Sequence, residues 1–266
     1  MSRRVLITGA TSGLGREMAV QLGREGCRLI LTGRRKELLA DAADAARKAG
    51  SPDVLTINGG VTDLSEVKSH YAQIKARFGG LDWAILNAGV SDSQHAKQYT
   101  AENYRWTFET NVFGIANWIE AVLPDMLAAK SGVIAGVSSL AGFRGLPHSG
   151  AYSASKAAVT SMLESVRVDL RGTGVDVVTV CPGFVRSEMT KRNEIGSMPF
   201  LMTTEDGVRV MLRGIEKRKR LVHFPWQLSL AAVYVLPNIP RFIYDRFASL
   251  IKRRKTPYVD ASKKTA

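Results

Sequence analysis

The chain has 266 residues, enough for one domain with a core on both faces of a sheet, and no repeat or low-complexity linker divides it. Its two cysteines, Cys27 and Cys181, stand far apart and beside or inside apolar runs. That excludes a cysteine-built metal site and marks both as buried free thiols of a reducing, cytoplasmic compartment. A formal charge of +13 invites nucleic acid, but no nucleic-acid motif accompanies it.

Arg3 and Arg4 precede a short apolar stretch that ends in a glycine turn, so it reads as a first strand and not as a secretory leader. Apolar runs and helical periodicities then alternate. Strands are predicted at 3–8, 28–32, 53–58, 82–86, 132–138, 175–181 and 220–224, and helices near 14–25, 36–49, 64–78, 101–128, 150–171 and 204–217. Alternation at this spacing argues for βαβ units with right-handed crossovers. The expected fold is α/β, a doubly wound parallel sheet over 1–225, with 226–266 a helical extension of the same domain.

The first turn is Gly9-Ala10-Thr11-Ser12-Gly13-Leu14-Gly15. Glycines between a strand and a helix let the backbone approach a ligand closely, and the helix start offers N–H groups to a phosphate. After the second strand come Gly33-Arg34-Arg35, with no acid at the strand end. An acid there would bind a ribose 2′-hydroxyl, whereas an arginine accommodates a 2′-phosphate, so Arg34, helped by Arg35, selects NADP(H) over NAD(H).

Farther on, Ser139 follows the apolar run Gly132 to Val137, and Tyr152 and Lys156 follow thirteen and seventeen residues after it. Positions i and i+4 share a helix face, so phenol and ammonium point into one space. A nearby cation favours the phenolate and lowers the tyrosine pKa, which makes Tyr152 a candidate general acid/base. A lone Tyr-x-x-x-Lys is common on solvated helices; one preceded by a strand-end serine is not.

Taken together, Thr8-Gly9-x-x-x-Gly13-x-Gly15, Asn87-Ala88-Gly89, Asn111, Ser139, Tyr152-x-x-x-Lys156 and Cys181-Pro182-Gly183 resemble the short-chain dehydrogenase/reductase family, in its order and at its spacings, over roughly residues 3–225. The resemblance implies a Rossmann-like fold and an NADP(H)-dependent oxidoreductase moving hydride between nicotinamide and a carbonyl or secondary alcohol. It implies that Tyr152 exchanges the proton, Ser139 bonds the carbonyl oxygen, Lys156 bonds the nicotinamide ribose and lowers the tyrosine pKa, and Asn111 holds a water relaying protons to Lys156. Asn87, Ala88 and Gly89 would pack against the adenosine ribose, Pro182, Gly183 and Val185 against the nicotinamide, and the Ser187 hydroxyl would reach the carboxamide. The family commonly carries an acid before the position of Val61, where it contacts adenine; here the stretch is Asn58-Gly59-Gly60-Val61, which leaves adenine to backbone and packing. Homodimers or homotetramers through the helices near 101–128 and 150–171 are the family expectation. A regulatory or scaffold protein on the same fold is the alternative, against which the intact Ser139, Tyr152 and Lys156 weigh.

Substrate specificity is expected in Ser91–Gln98, Gly142–Ser149 and Phe184–Met202. The last is rich in methionine and suits either a hydrophobic pocket for a lipid, steroid-like or acyl compound or a self-packed flap. Between Leu221 and Ile239 there is no charged residue, yet 213–255 hold eleven Lys and Arg against two acids. Pro225, Pro237 and Pro240 break this stretch, so it does not read as a spanning helix. It covers the pocket or a subunit interface, or lies peripherally on a membrane with basic clusters on anionic headgroups, or serves nucleic acid; the last is the weakest.

Overall fold

The computed structural model describes residues 2–190 and 198–250. Strand β1 (Arg4–Thr8) leads to helix α1 (Gly13–Arg24), followed by β2 (Arg28–Gly33), α2 (Lys36–Ala49), β3 (Val54–Asn58), α3 (Leu64–Phe78) and β4 (Trp83–Leu86). The second half runs α4 (Ala101–Phe108), α5 (Gly114–Ala129), β5 (Gly132–Val137), α6 (Gly150–Asp169), β6 (Val175–Pro182), α7 (Thr204–Glu216) and β7 (Leu221–Phe224). All seven strands pair in parallel, in the order β3-β2-β1-β4-β5-β6-β7. The order reverses between β1 and β4, and the crevice at their carboxyl ends is where such sheets hold ligands.

Strand alternation divides the core. Val5 and Ile7 face one side with Met18, Leu39 and Met211 of α1, α2 and α7. Leu6 and Ile30 face the other with Ile74, Trp118 and Leu163 of α3, α5 and α6. With both faces covered, a central strand need not alternate: every residue of β5 is buried.

Each strand falls within one residue of its predicted bounds. The predicted helix 101–128 is interrupted by a π-helical turn, Glu109–Phe113, between α4 and α5. The run Ala101–Ala129 is apolar and long enough to cross a membrane, but Ile115, Trp118, Ile119 and Val122 are buried in the core. After β7 come α8 (Trp226–Leu230), a π-helical turn at Ala231–Val235, a 3₁₀ turn at Leu236–Asn238 and α9 (Arg241–Ala248). Pro225 and Pro240 stand immediately before α8 and α9, where a missing N–H costs nothing. The basic run Lys252 to Lys255 and residues 191–197 of the methionine-rich loop lie outside the described residues.

Leu163 fills the space above Gly136, where an added Cβ would strike its side chain. Leu163→Ala is expected to cost about 2–5 kcal/mol, the range for emptying a core leucine site, read as a lower urea midpoint with unchanged slope.

Candidate active site

Helix α6 rests its first turns directly on the end of β5. A Cβ on Gly142 would lie 2.8 Å from the Lys156 backbone carbon, so only glycine allows this approach. The Ser138 hydroxyl donates to the Lys156 carbonyl at 2.8 Å, and the buried Lys156 ammonium donates to the Val137 carbonyl at 2.7 Å. Desolvation draws the Lys156 pKa down to about 8. Its Nζ lies 5.7 Å from the Tyr152 ring centroid. Ser139, at the exit of β5, accepts a hydrogen bond from the Ala141 N–H at 3.1 Å.

The expected lowering of the Tyr152 pKa by Lys156 is not what this structure has. Burial pushes the phenol above its ordinary value, and the opposing influence is the hydrogen bond with Ser139. The ammonium bonds Val137 at the end of β5 instead, so at neutral pH the phenol keeps its proton.

Asn111 lies inside the π-helical turn and is fully buried. Its amide donates to the Val90 carbonyl at 2.9 Å and to the Ser155 hydroxyl at 3.0 Å, and its oxygen accepts from the Val90 N–H at 2.7 Å. The side chain thus clamps the chain leaving β4 to helix α6. Its oxygen and the Lys156 ammonium lie 3.2 and 3.5 Å from where a Cβ on Gly89 would sit, which puts all three residues at one point.

The glycine turn closes against the end of β4. Gly9 and Gly13 have φ of +66° and +52°, which glycine adopts without strain. A Cβ on Gly9 would come 2.9 Å from the Ala88 Cα, and one on Gly15 would strike the Gly9 carbonyl. Asn87 donates from its amide to the Thr8 carbonyl at 3.0 Å, binding the two strand ends across the switch point. Ser12 precedes α1 without a side-chain cap bond to its first turn. Leu14 packs on the core, and Thr11, Val61 and Val185 are buried.

Arg34 is exposed at the end of β2. Arg35 turns back over the glycine turn, donating to the Thr11 hydroxyl at 2.8 Å and the Ser12 hydroxyl at 2.7 Å, and pairs with Glu188 at 2.9 Å. Across the crevice, the Ser187 Cβ lies 3.3 Å from where a Cβ on Gly13 would sit. Pro182 ends β6, and Gly183 is wedged among Pro225, Leu140 and Leu228.

Beside Gly59 and Gly60, where the sequence itself carries no acid, a carboxylate does stand. Asp63 caps α3 by accepting from the Ser65 and Glu66 N–H groups, and the Glu66 side chain reaches back toward the loop. Its oxygens lie 2.5 and 3.7 Å from where Cβ atoms on Gly59 and Gly60 would sit. Glu66 escaped sequence reading, although an acid three residues after a capping Asp signals a side chain folding back over its helix start. Glu188 carried no such signal.

The first two specificity loops join: the Gln94 N–H donates to the His148 carbonyl at 2.9 Å, and the His95 and His148 rings stack at 5.2 Å. In the third, Met198 is buried and Met202 packs on the core, while Met189 and Phe200 are exposed.

The model of the family described as "short chain dehydrogenase" matches residues 3–196. The chain belongs to the short-chain dehydrogenase family. It is 46% identical over 238 residues to an "uncharacterized oxidoreductase" of Myxococcus xanthus, covering 89% of this chain and 93% of that one. It is 33% identical over 190 residues to the 3-oxoacyl-[acyl-carrier-protein] reductase FabG of Staphylococcus aureus, covering 71% and 77%. A crystal structure of a short-chain dehydrogenase/reductase from Burkholderia phymatum in complex with NAD superposes with a TM-score of 0.80 at 24% identity, over 97% and 98% of the two chains.

As a member of the short-chain dehydrogenase family, the protein is an oxidoreductase that uses a nicotinamide cofactor. Its residues fit one: the Gly9–Gly15 cradle admits no side chains at its closest points, and α1 begins there without a side-chain cap. Lys156 is charged below about pH 8 in the cofactor-free protein and loses that charge above it. Affinity for the anionic cofactor is therefore expected to weaken as pH rises through 8, by about tenfold or more. Fluorescence titration between pH 6.5 and 9.5 checks this, and Lys156→Met should flatten the slope.

Proposed function

We propose that the protein is an NADP(H)-dependent oxidoreductase that reduces carbonyl groups on hydrophobic substrates or dehydrogenates the matching secondary alcohols. The observation that carries this is the convergence of Ser139, Tyr152 and Lys156 at the carboxyl end of β5, beside the crevice, with the phenol protonated at neutral pH. A bound nicotinamide supplies or accepts the hydride. The Ser139 hydroxyl bonds the substrate carbonyl oxygen and steadies the charge that develops there. Tyr152 delivers its proton to that oxygen. Turned from the Val137 carbonyl toward the phenol, the charged Lys156 would lower the cost of the phenolate left behind. Asn111 holds the Val90 loop and Ser155 in register, and a water between Asn111 and Lys156 would return the proton to Tyr152. Oxidation runs the same steps in reverse.

For the cofactor, Arg34 is exposed at the end of β2, and Arg35 spreads its guanidinium over the glycine turn. Arg34, helped by Arg35, would hold the 2′-phosphate. Glu66 stands in for the missing acid and accepts from the adenine amino group, helped by Val61. Asn87, Ala88 and Gly89 line the adenosine ribose, while Pro182, Gly183, Val185 and Ser187 border the nicotinamide. Met198, which is buried, and Met202, which pairs with Val185, support an apolar substrate, as does the acyl substrate in the name of the 3-oxoacyl reductase relative. The exposed Phe113, Leu127 and Val168 on the helical run 101–129 and α6 support a homodimer or homotetramer through those helices, and the buried free thiols Cys27 and Cys181 a cytoplasmic setting.

Tyr152→Phe removes one hydroxyl and is expected to lower turnover by roughly 10²–10⁴-fold while NADPH still binds; retained turnover of a ketone panel by the purified variant would refute the assignment. By calorimetry, Arg34→Ala and Arg35→Ala should each weaken NADPH by about 1.5–3 kcal/mol and leave NADH nearly unchanged. Glu66→Ala should weaken both cofactors alike, because both carry adenine. Equal affinities for NADH and NADPH in the unaltered protein would overturn the choice of NADP(H).

A further inference from the structure

Between Trp226 and Leu250 the chain exposes seven of the fourteen large apolar side chains that are exposed among the described residues. Trp226, Phe242 and Leu250 are 68%, 76% and 73% exposed, and Phe247 66%. Trp226, Leu230 and Tyr234 recur at intervals of four residues and form one outward stripe of the helical run that begins with α8. A patch of this kind marks an interaction surface, not an ordinary exterior.

The inner side of the same segment is anchored. Leu228, Ala232 and Val233 pack with Leu140, Phe143 and Cys181 behind the catalytic serine. The Arg144 guanidinium donates to the carbonyls of Leu236, Pro237 and Ile239 at 3.1, 3.0 and 3.2 Å. It also stacks on the Tyr244 ring at 4.4 Å, and the Tyr244 hydroxyl donates to the Gly145 carbonyl at 2.6 Å. The apolar segment is thereby fastened to the loop that joins Ser139 to Tyr152.

Charge separates the candidate occupants. The exposed Arg241 and Arg246 flank the apolar side chains of α9 against the single acid Asp245, and the sixteen residues after Leu250 carry six Lys and Arg against one Asp. A second copy of the chain on this face would bring two basic clusters together, whereas anionic lipid headgroups neutralise them while aromatic and aliphatic side chains enter the interface. We propose that the face from Trp226 to Leu250 docks on an anionic membrane surface and that the Arg144 and Tyr244 contacts couple it to the substrate loop, so that a bilayer-dissolved carbonyl compound enters the site from the membrane. The identity of what enters rests on the reductase reading; the docking does not.

The test uses the full chain with phosphatidylcholine vesicles prepared with and without phosphatidylserine. The protein should sediment with the phosphatidylserine vesicles at low salt and be released by added salt, since the headgroup attraction is screened. The combined variant Trp226→Ser, Phe242→Ser and Phe247→Ser alters only exposed side chains; it should lose at least tenfold in vesicle affinity and keep its NADPH-dependent turnover of a water-soluble ketone. Failure of the unaltered protein to sediment at low salt, or equal sedimentation of the variant, overturns the inference. So does light scattering that shows the three substitutions splitting an oligomer in the absence of vesicle binding, which would make the face a contact between copies. Turnover without vesicle binding defeats docking alone; vesicle binding without turnover of any ketone defeats the reductase reading and leaves docking standing.

Discussion

A buried ammonium sets the terms for the rest of this molecule. Removing the Lys156 charge from water costs several kcal/mol unless a partner is held ready, and the partner is the carbonyl of Val137 at 2.7 Å. That bond requires α6 to lie against the end of β5, which requires glycine at 142 and the Ser138 hydroxyl on the Lys156 carbonyl. Once the helix is seated, Tyr152 one turn earlier faces the crevice and Ser139 meets it from the strand. The penalty remains visible in the depressed lysine pKa, so the site holds a charge it binds only partly, next to a phenol it keeps neutral.

The crevice has its own constraint. The chain leaves the paired strands β1 and β4 in opposite directions at the sheet's reversal point, and the two exits are held together by a close backbone approach and a side-chain amide. Gly9 against Ala88 and Asn87 against Thr8 knit β1 to β4. Arg35 and Glu188 then bridge the glycine turn to the loop after β6. Both partners of that bridge are about half exposed, so it is a weak tie that an anionic ligand can exchange for its own charge.

Strand positions were legible because a sheet covered on both faces writes continuous apolar runs, as in Gly132 to Val137. The meeting of Tyr152 and Lys156 was legible because helix periodicity places the two side chains on one face. Three things were not. The π-helical turn at Glu109–Phe113 shifts the phase of the apolar stripe by a single residue, which a pattern averaged over a long window does not register. The tyrosine pKa depends on a competition between burial and charge that spacing does not encode. Arg144 acts across loops, where contacts are set by the fold and not by neighbours in sequence. Residues 226–250 were recognisable as apolar and proline-broken, but which side faces inward emerged only from the packing on Leu140 and Cys181.

The π-helical turn also bears on how this protein can vary. Its closing bond runs from the Gly114 N–H to the Glu109 carbonyl, one residue longer than a regular turn. That extra residue rotates everything after it by roughly 100°. Before the turn the helix points its buried groups one way; after it, Ile115, Trp118 and Val122 point into the core, and Asn111 between them reaches Val90 and Ser155. Deleting a single residue here would give a more regular helix and a worse protein, since either the amide or the hydrophobic stripe would swing out of place.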